Sequence, residues 1–215
     1  MKTRSLALSA LFGSIYVVAN FLPFSKFIGG AGFVTAGAAI LPVISALLTP
    51  TYALIAGIIG GIGVSLFGIG LATVFPGFCI YITASTTFLG SIAFHYRKYA
   101  WIPAAYIFGQ GIMYVLWYNF QATGLWLIHY TIGVMIAVIY CITEKGKVAL
   151  TFTTAMCENV GMNIGSLVLL NLPAFLWTII APVSIMERII AGVISAIILK
   201  AIKKILPTMP EVAEI

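Results

Sequence analysis

The sequence predicts an all-α membrane protein, a bundle of transmembrane helices with six core spans and an extra hairpin, about eight segments in all. Hydrophobic residues make up 62% of the 215 residues, charged residues make up 7%, and the mean hydropathy is +1.14. A soluble domain carries about a quarter charged residues. The composition therefore indicates an integral membrane protein, and we expect residues 1–215 to form a single membrane domain.

The uncharged stretch from Leu41 to Gly70 predicts two antiparallel helices. Its break lies at Pro50, and proline suits the first turn of a helix because the amide hydrogen that it lacks would be unpaired there. Gly57 and Gly61 are four residues apart, a spacing that lets two membrane helices approach backbone to backbone. We therefore expect a tight hairpin whose second helix makes a close contact through glycine.

The remaining segments follow from the length of helix that a bilayer requires. About 20 apolar residues cross the hydrocarbon core as a helix. On this criterion the spans are 4–22, 33–48, 51–71, 77–95, 99–119, 124–143, 148–171 and 184–204. We expect the connections 24–32, 71–77 and 172–182 to be loops on the outer side.

The basic residues predict the orientation of these segments. If the eight segments alternate in direction, nine of the 11 Lys and Arg residues fall on one side: Lys2, Arg4, Arg97, Lys98, Lys145, Lys147, Lys200, Lys203 and Lys204. By the positive-inside rule that side is the cytoplasm. We therefore expect a multi-pass protein of the plasma membrane with both termini cytoplasmic, in contact with lipid and not with nucleic acid.

Three polar residues in the seventh segment are candidates for binding a solute. An ionisable side chain inside a membrane segment is costly and indicates function, which singles out Glu158. Asn159 and Asn163 are four residues apart, so they lie on one helical face beside it. A carboxylate and two carboxamides would bind a heterocycle or an amine by directed hydrogen bonds. The alternative is that Glu158 is protonated or bonded to a neighbouring helix and only stabilises the bundle.

Two charged residues lie near the outer end of the last segment. Glu187 there meets the positive end of the helix dipole, which is a sufficient structural explanation for it. Arg188 lies on the side that the positive-inside rule disfavours. It would hold a carboxylate or phosphate of a ligand, pair with Glu158, or extend outward to the headgroups.

Aromatic residues gather at the predicted outer boundary: Trp117, Tyr118, Trp126, Tyr130 and Trp177. Most of them fit the belt of aromatic side chains found at membrane interfaces. For Trp126 and Trp177 we also consider stacking on a planar ligand.

Three further polar residues belong to the same outer region. His129 fits either a bonded packing residue or a ligand contact, and Asn119 would reach an outer pocket or cap a helix end. Lys26, in the first outer loop, would close over an anionic solute or stay solvated.

The sequence lacks the residues and motifs on which common hydrolytic and metal-dependent enzymes rely. There is no aspartate, only two histidines, no H-E-x-x-H motif and no phosphate-binding G-x-x-x-x-G-K-[ST] loop. We therefore expect no catalytic activity, cofactor or metal, and any ATP-driven step would be carried out by other chains.

Two stretches of the sequence resemble one family of membrane proteins. The run ILPVISALLTPTYALIAGIIGG resembles the hairpin of the second and third helices in the substrate-binding S components of energy-coupling factor (ECF) transporters. The run NVGMNIGSLVLLNLPAFLWTIIAPVSIMERIIAGVISAIILKAI resembles their last two helices. The resemblance covers about half of the chain. It implies a small protein that binds a vitamin or other micronutrient from outside and docks on a transmembrane coupling protein driven by two ATPases.

The chain departs from that family's pattern in two ways. The family usually has six helices where we count eight, and it favours an Ala-x-x-x-Ala pattern on the first helix for docking. The nearest matches here are Ser9-x-x-x-Gly13 and Ala10-x-x-x-Ser14. Small residues at this spacing let a partner helix approach, but they serve equally well for packing inside the bundle.

The alternative function is a self-sufficient secondary carrier that uses Glu158 for proton coupling. Such carriers often contain inverted repeats and broken helices at the midplane of the membrane. We find no convincing internal repeat in this sequence.

Overall fold

A computed structural model describes residues 2–26, 33–118, 120–170 and 172–205, and it confirms the all-α prediction. Within these residues there are eight helices, α1 (Lys2–Ala19), α2 (Gly37–Leu47), α3 (Pro50–Phe67), α4 (Phe78–His95), α5 (Trp101–Tyr118), α6 (Phe120–Thr143), α7 (Leu150–Leu169) and α8 (Ala174–Ile205). Single turns of 3-10 helix lie at Gly70–Thr73, Arg97–Tyr99 and Lys147–Ala149. A two-stranded antiparallel hairpin, β1 (Pro23–Lys26) and β2 (Phe33–Thr35), joins α1 to α2.

Three helical stretches in the described part of the chain are long and apolar enough to cross a membrane. They are Pro50–Phe67, Phe78–His95 and Gly124–Thr143. The bundle is therefore compatible with a membrane protein. The number of crossings and the cytoplasmic placement of the termini stay predictions.

Several predicted boundaries are wrong by a few residues, among them the end of the third segment, which lies at Phe67, and the start of the sixth, which lies at Phe120. Two others change the architecture. The second helix begins at Gly37 instead of residue 33, because residues 33–35 pair with β1 as a strand. The last helix begins at Ala174 instead of residue 184, so most of the predicted loop 172–182 is helical, and Pro182 lies inside the helix. A proline inside a helix removes one backbone hydrogen bond.

The contact between α3 and α4 confirms the close approach predicted for Gly57 and Gly61. A Cβ atom added at Gly57 would lie 2.3 Å from Thr87 Oγ1 and 2.8 Å from the Cα atom of Ala84. A Cβ atom added at Gly61 would lie 2.7 Å from the Cα atom of Ile80. Only glycine lets the two backbones come this close.

The centre of the bundle is α2, of which all residues except Ile40 are buried. Hydroxyl groups bind it to its neighbours through backbone carbonyls. Ser195 Oγ of α8 donates to the Ala39 carbonyl at 2.6 Å, and Ser45 Oγ of α2 donates to the Thr87 carbonyl of α4 at 3.2 Å. Such bonds between helices satisfy polar groups that are buried away from water.

Candidate solute-binding site

A small hollow lies between α6, α7, α8 and the β1–β2 hairpin. Its volume is about 30 Å³. Its polar lining consists of Lys26, Asn159, Asn163, Ser166, Ser184 and Glu187. One water molecule needs roughly 10–15 Å³ of cavity volume, measured as the space open to the centre of a water-sized sphere. The hollow of about 30 Å³ therefore accommodates about two or three waters as it stands, and a larger solute requires its walls to separate.

The two carboxamides predicted to share a face of the seventh helix both line this hollow. Asn159 Nδ2 donates a hydrogen bond to Ser184 Oγ at 2.6 Å, and Asn163 Nδ2 donates to the hydroxyl group of Tyr130. Both asparagines are buried. The 3.6-residue period of α7 thus presents them together, and the bonds to α6 and α8 hold their orientation.

Behind this lining, Arg188 and Glu158 form a buried ion pair. Arg188 Nη1 donates to Glu158 Oε2, and Arg188 Nη2 lies 3.9 Å from Glu187 Oε2. Arg188 is 1% exposed and Glu158 is 2% exposed. Of the roles considered for Arg188, the structure shows the pairing with Glu158, and its burial rules out an outward extension to the headgroups.

The charged cluster and the hollow meet at Glu187. Glu158 and Arg188 are not among the residues that line the hollow, whereas Glu187 belongs to both. Direct contact of Glu158 and Arg188 with a solute, which the sequence predicted, is therefore not seen in this arrangement. Arg188 Nε has no hydrogen-bond partner among the described residues.

Trp126 and Trp177 line the hollow and are 0% and 1% exposed. Their rings meet edge to face, with centroids 6.1 Å apart, and Trp126 Nε1 donates to the Trp177 carbonyl at 3.2 Å. The prediction of a membrane-interface belt is therefore wrong for these two residues and for the buried Tyr130. Their rings pack into an interior aromatic cluster together with Tyr114, whereas Trp117 is 74% exposed.

His129 is a packing residue in this structure. Its Nδ1 lies 2.9 Å from the Leu125 carbonyl oxygen, and its Nε2 lies 3.0 Å from the Ala181 carbonyl oxygen, next to Pro182. It stacks on Trp126 and does not line the hollow. The predicted contact of His129 with a solute is thus replaced by support of the helix around Pro182.

Asn119, a predicted residue of the site, lies outside the described residues. Two residues that line the hollow, Ser166 and Ser184, were not predicted from the sequence. Ser166 follows Asn163 by three residues and would have been found by extending the same helical face. Ser184 was missed because the stretch before it was interpreted as a loop.

The predicted docking residues on α1 divide between two faces. Ser9 is fully buried and donates to the Tyr52 carbonyl at 2.9 Å. A Cβ atom on Gly13 would carry a side chain into α3, only 2.9 Å from Ile59 Cγ2. A docking surface that includes Ser9 and Gly13 is therefore contradicted, because both pack inside the bundle. Ala10 and Ser14 are exposed.

Comparison with known proteins adds no assignment: no family model, no curated protein and no solved structure matches this chain. In the part of the chain that the structure describes, no group of three or more His, Cys, Asp or Glu side chains could hold a metal ion. What defines the site is its own chemistry, which consists of carboxamides, a carboxylate and indole rings around a hollow in an apolar helical bundle.

Proposed function

We propose that this protein is the membrane-embedded substrate-binding subunit of an ATP-driven importer of the ECF type, which takes up a vitamin or a vitamin precursor. The observation that carries the proposal is the hollow under the β1–β2 hairpin, with Asn159 and Asn163 on one wall and Trp126 and Trp177 on another. An apolar cleft with a few convergent polar groups is the usual form of a small-molecule site.

The lining favours a small, flat molecule that both donates and accepts hydrogen bonds. Each carboxamide offers one acceptor oxygen and two donor hydrogens. The indole rings add apolar area without a charge, and Glu187 adds a carboxylate. These are the groups that a heterocycle with ring nitrogens or an amine would use.

Entry of the solute is proposed from the side of the hairpin. Lys26 of β1 and Val34 of β2 form part of the wall of the hollow. A drug-sized pocket has a volume of about 300–1,000 Å³, so the hairpin would have to move away from α7 and α8 for a vitamin to bind. In our orientation this end of the bundle faces outward.

Energy and partners would come from other chains. The sequence has no phosphate-binding loop, so we propose that two ATPase subunits act through a transmembrane coupling protein. Ala10 and Ser14, on the exposed face of α1, would let a helix of that coupling protein approach closely. We place the protein in the plasma membrane, with eight crossings and both termini in the cytoplasm.

Ligand binding by the purified chain tests this proposal. We expect at least one compound from a panel of vitamins and their precursors to raise the melting temperature of the protein in detergent. Asn163→Ala should abolish that rise. Gln110→Ala should keep it, because Gln110 is a carboxamide bonded to Tyr81 away from the hollow. A panel without any effect on the wild-type protein would contradict the proposal.

The alternative, a secondary carrier with Glu158 as its proton-coupling group, has less support. Glu158 is paired with Arg188 and does not line the hollow. A coupling carboxylate needs access to the transported solute or to protons. Uptake that continues in cells without the ATPase subunits would favour the carrier over the importer subunit.

A further inference from the structure

A second cavity lies toward the opposite end of α8. A groove of about 540 Å³ lies along this helix and is lined by Val148, which precedes α7, and by six residues of the helix: Val193, Ala196, Ile197, Leu199, Lys200 and Lys203. This volume falls in the range of about 300–1,000 Å³ that is typical of ligand pockets. The groove shares no residue with the hollow under the hairpin.

The groove is apolar along its length and basic at one end. Val193, Ile197 and Lys200 recur at intervals of four and three residues, so they lie on one face of the helix. Val193 is 53% exposed and Ile197 is 62% exposed, so apolar surface remains uncovered there. Lys200 and Lys203 are exposed, and within residues 2–205 as described they have no ion-pair partner and no acidic residue lines the groove.

We infer that this groove binds one anionic phospholipid, with an acyl chain along Val193 and Ile197 and the phosphate group on Lys200 and Lys203. The charge pattern carries the inference. An apolar channel that ends in two ammonium groups complements an acyl chain that ends in a negative headgroup, and basic pockets beside membrane helices are known to hold anionic headgroups. The inference requires that the chain lies in a membrane, but it does not depend on the solute-binding proposal.

Native mass spectrometry of the detergent-purified protein, titrated with phosphatidylglycerol or with phosphatidylcholine of the same acyl chains, tests the inference. Wild type should retain phosphatidylglycerol in preference to phosphatidylcholine, with one molecule bound most tightly. Lys200→Gln/Lys203→Gln should weaken phosphatidylglycerol binding by about fivefold for each lysine, the contribution of one basic residue near an anionic membrane surface.

Two matched variants separate a site from general charge attraction. Lys98→Gln/Lys145→Gln removes the same charge from exposed lysines outside the groove and should leave the tight binding unchanged. Ala196→Trp fills the groove while both of its lysines remain, and it should also abolish the tight binding. Ala201→Trp, at an exposed position outside the lining, is its control.

The inference is overturned if Lys200→Gln/Lys203→Gln retains phosphatidylglycerol as wild type does. The groove would then be a contact surface for a helix of a partner protein. The inference is also overturned if the Lys98→Gln/Lys145→Gln control loses as much binding, since the attraction would then be general. Melting temperatures of all variants without added lipid show that each is folded. These lysines are exposed, so folding should not depend on them.

Discussion

The α3–α4 contact and the region around α6, α7 and α8 solve the problem of packing helices in different ways. Between α3 and α4, glycine removes the side chain, and the backbones touch with no room for a Cβ atom. Around α7, large aromatic rings and polar groups fill the space, and the structure leaves a hollow of about 30 Å³. The α3–α4 contact leaves no space in which a side chain could move. The region around α7, in contrast, has polar groups that can exchange one hydrogen-bond partner for another.

The difference shows where function can reside in such a bundle. In the membrane that we propose for this bundle, lipid gives helices little hydrophobic reason to associate, so close packing and bonds between helices would provide most of the stability. The α3–α4 contact achieves this without a charge. Glu158, Glu187 and Arg188, in contrast, all lie on α7 and α8, next to the hollow.

The largest expected effect comes from breaking the buried ion pair. Glu158→Gln removes the carboxylate that accepts the hydrogen bond from Arg188 Nη1 and leaves the buried guanidinium with only Glu187, whose Oε2 lies 3.9 Å from Nη2. Losing one partner of a buried pair costs about 3–5 kcal/mol of unfolding free energy. Thermal unfolding in detergent measures the loss. Glu158→Gln/Arg188→Gln should recover most of it, because the buried guanidinium is then removed together with its partner.

The matched control for that prediction is the exposed pair of Arg97 and Glu144, in which the Glu144 side chain is 67% exposed. Glu144→Gln should cost about 0–1 kcal/mol, since water screens a surface pair. Equal losses for Glu158→Gln and Glu144→Gln would contradict the structural distinction between the two pairs.

Gly57→Ala should have the next largest effect. Its Cβ atom would lie 2.8 Å from the Cα atom of Ala84, so α3 and α4 must separate, and overpacking of this kind costs about 1–3 kcal/mol. Gly109→Ala is the control, because nothing lies within 4 Å of its added Cβ atom. Melting temperatures of the two variants compare them, and a Gly57→Ala protein as stable as Gly109→Ala would refute the close contact.

A smaller loss of unfolding free energy is expected from Tyr130→Phe, in the region around α6, α7 and α8. The change removes the hydroxyl group that accepts a hydrogen bond from Asn163, and a net loss of about 1 kcal/mol follows. Tyr99→Phe alters a residue that is 53% exposed and should leave the melting temperature unchanged. If the two variants melt alike, the bond between Asn163 and Tyr130 does not contribute to stability.

The sequence was informative where a feature depends on near neighbours along the chain. The spacing of Gly57 and Gly61 and that of Asn159 and Asn163 each define a helical face: the glycine face makes the expected close contact, and the two asparagines line the hollow side by side. A composition so poor in charge also predicts apolar helices directly.

Features that depend on distant residues could not be predicted in this way. Pro182 looked like the end of a loop, but it lies inside α8, where His129 of α6 contacts the carbonyl group of Ala181, the residue before it. Ser9 and Ala10 are equally small, and only the position of α3 decides which of them is buried. Trp177 looked like an interfacial residue until its ring partners were known.

Tryptophan fluorescence tests the central claim most directly, because the chain has four tryptophans and only Trp126 and Trp177 line the hollow. In a Trp101→Phe/Trp117→Phe variant, all emission comes from the hollow. We predict that the compound that raises the melting temperature also changes this emission with a saturable dose dependence, and that Asn163→Ala abolishes the change. Emission that stays constant while the compound still stabilises the protein would show that the solute binds elsewhere and would contradict the account.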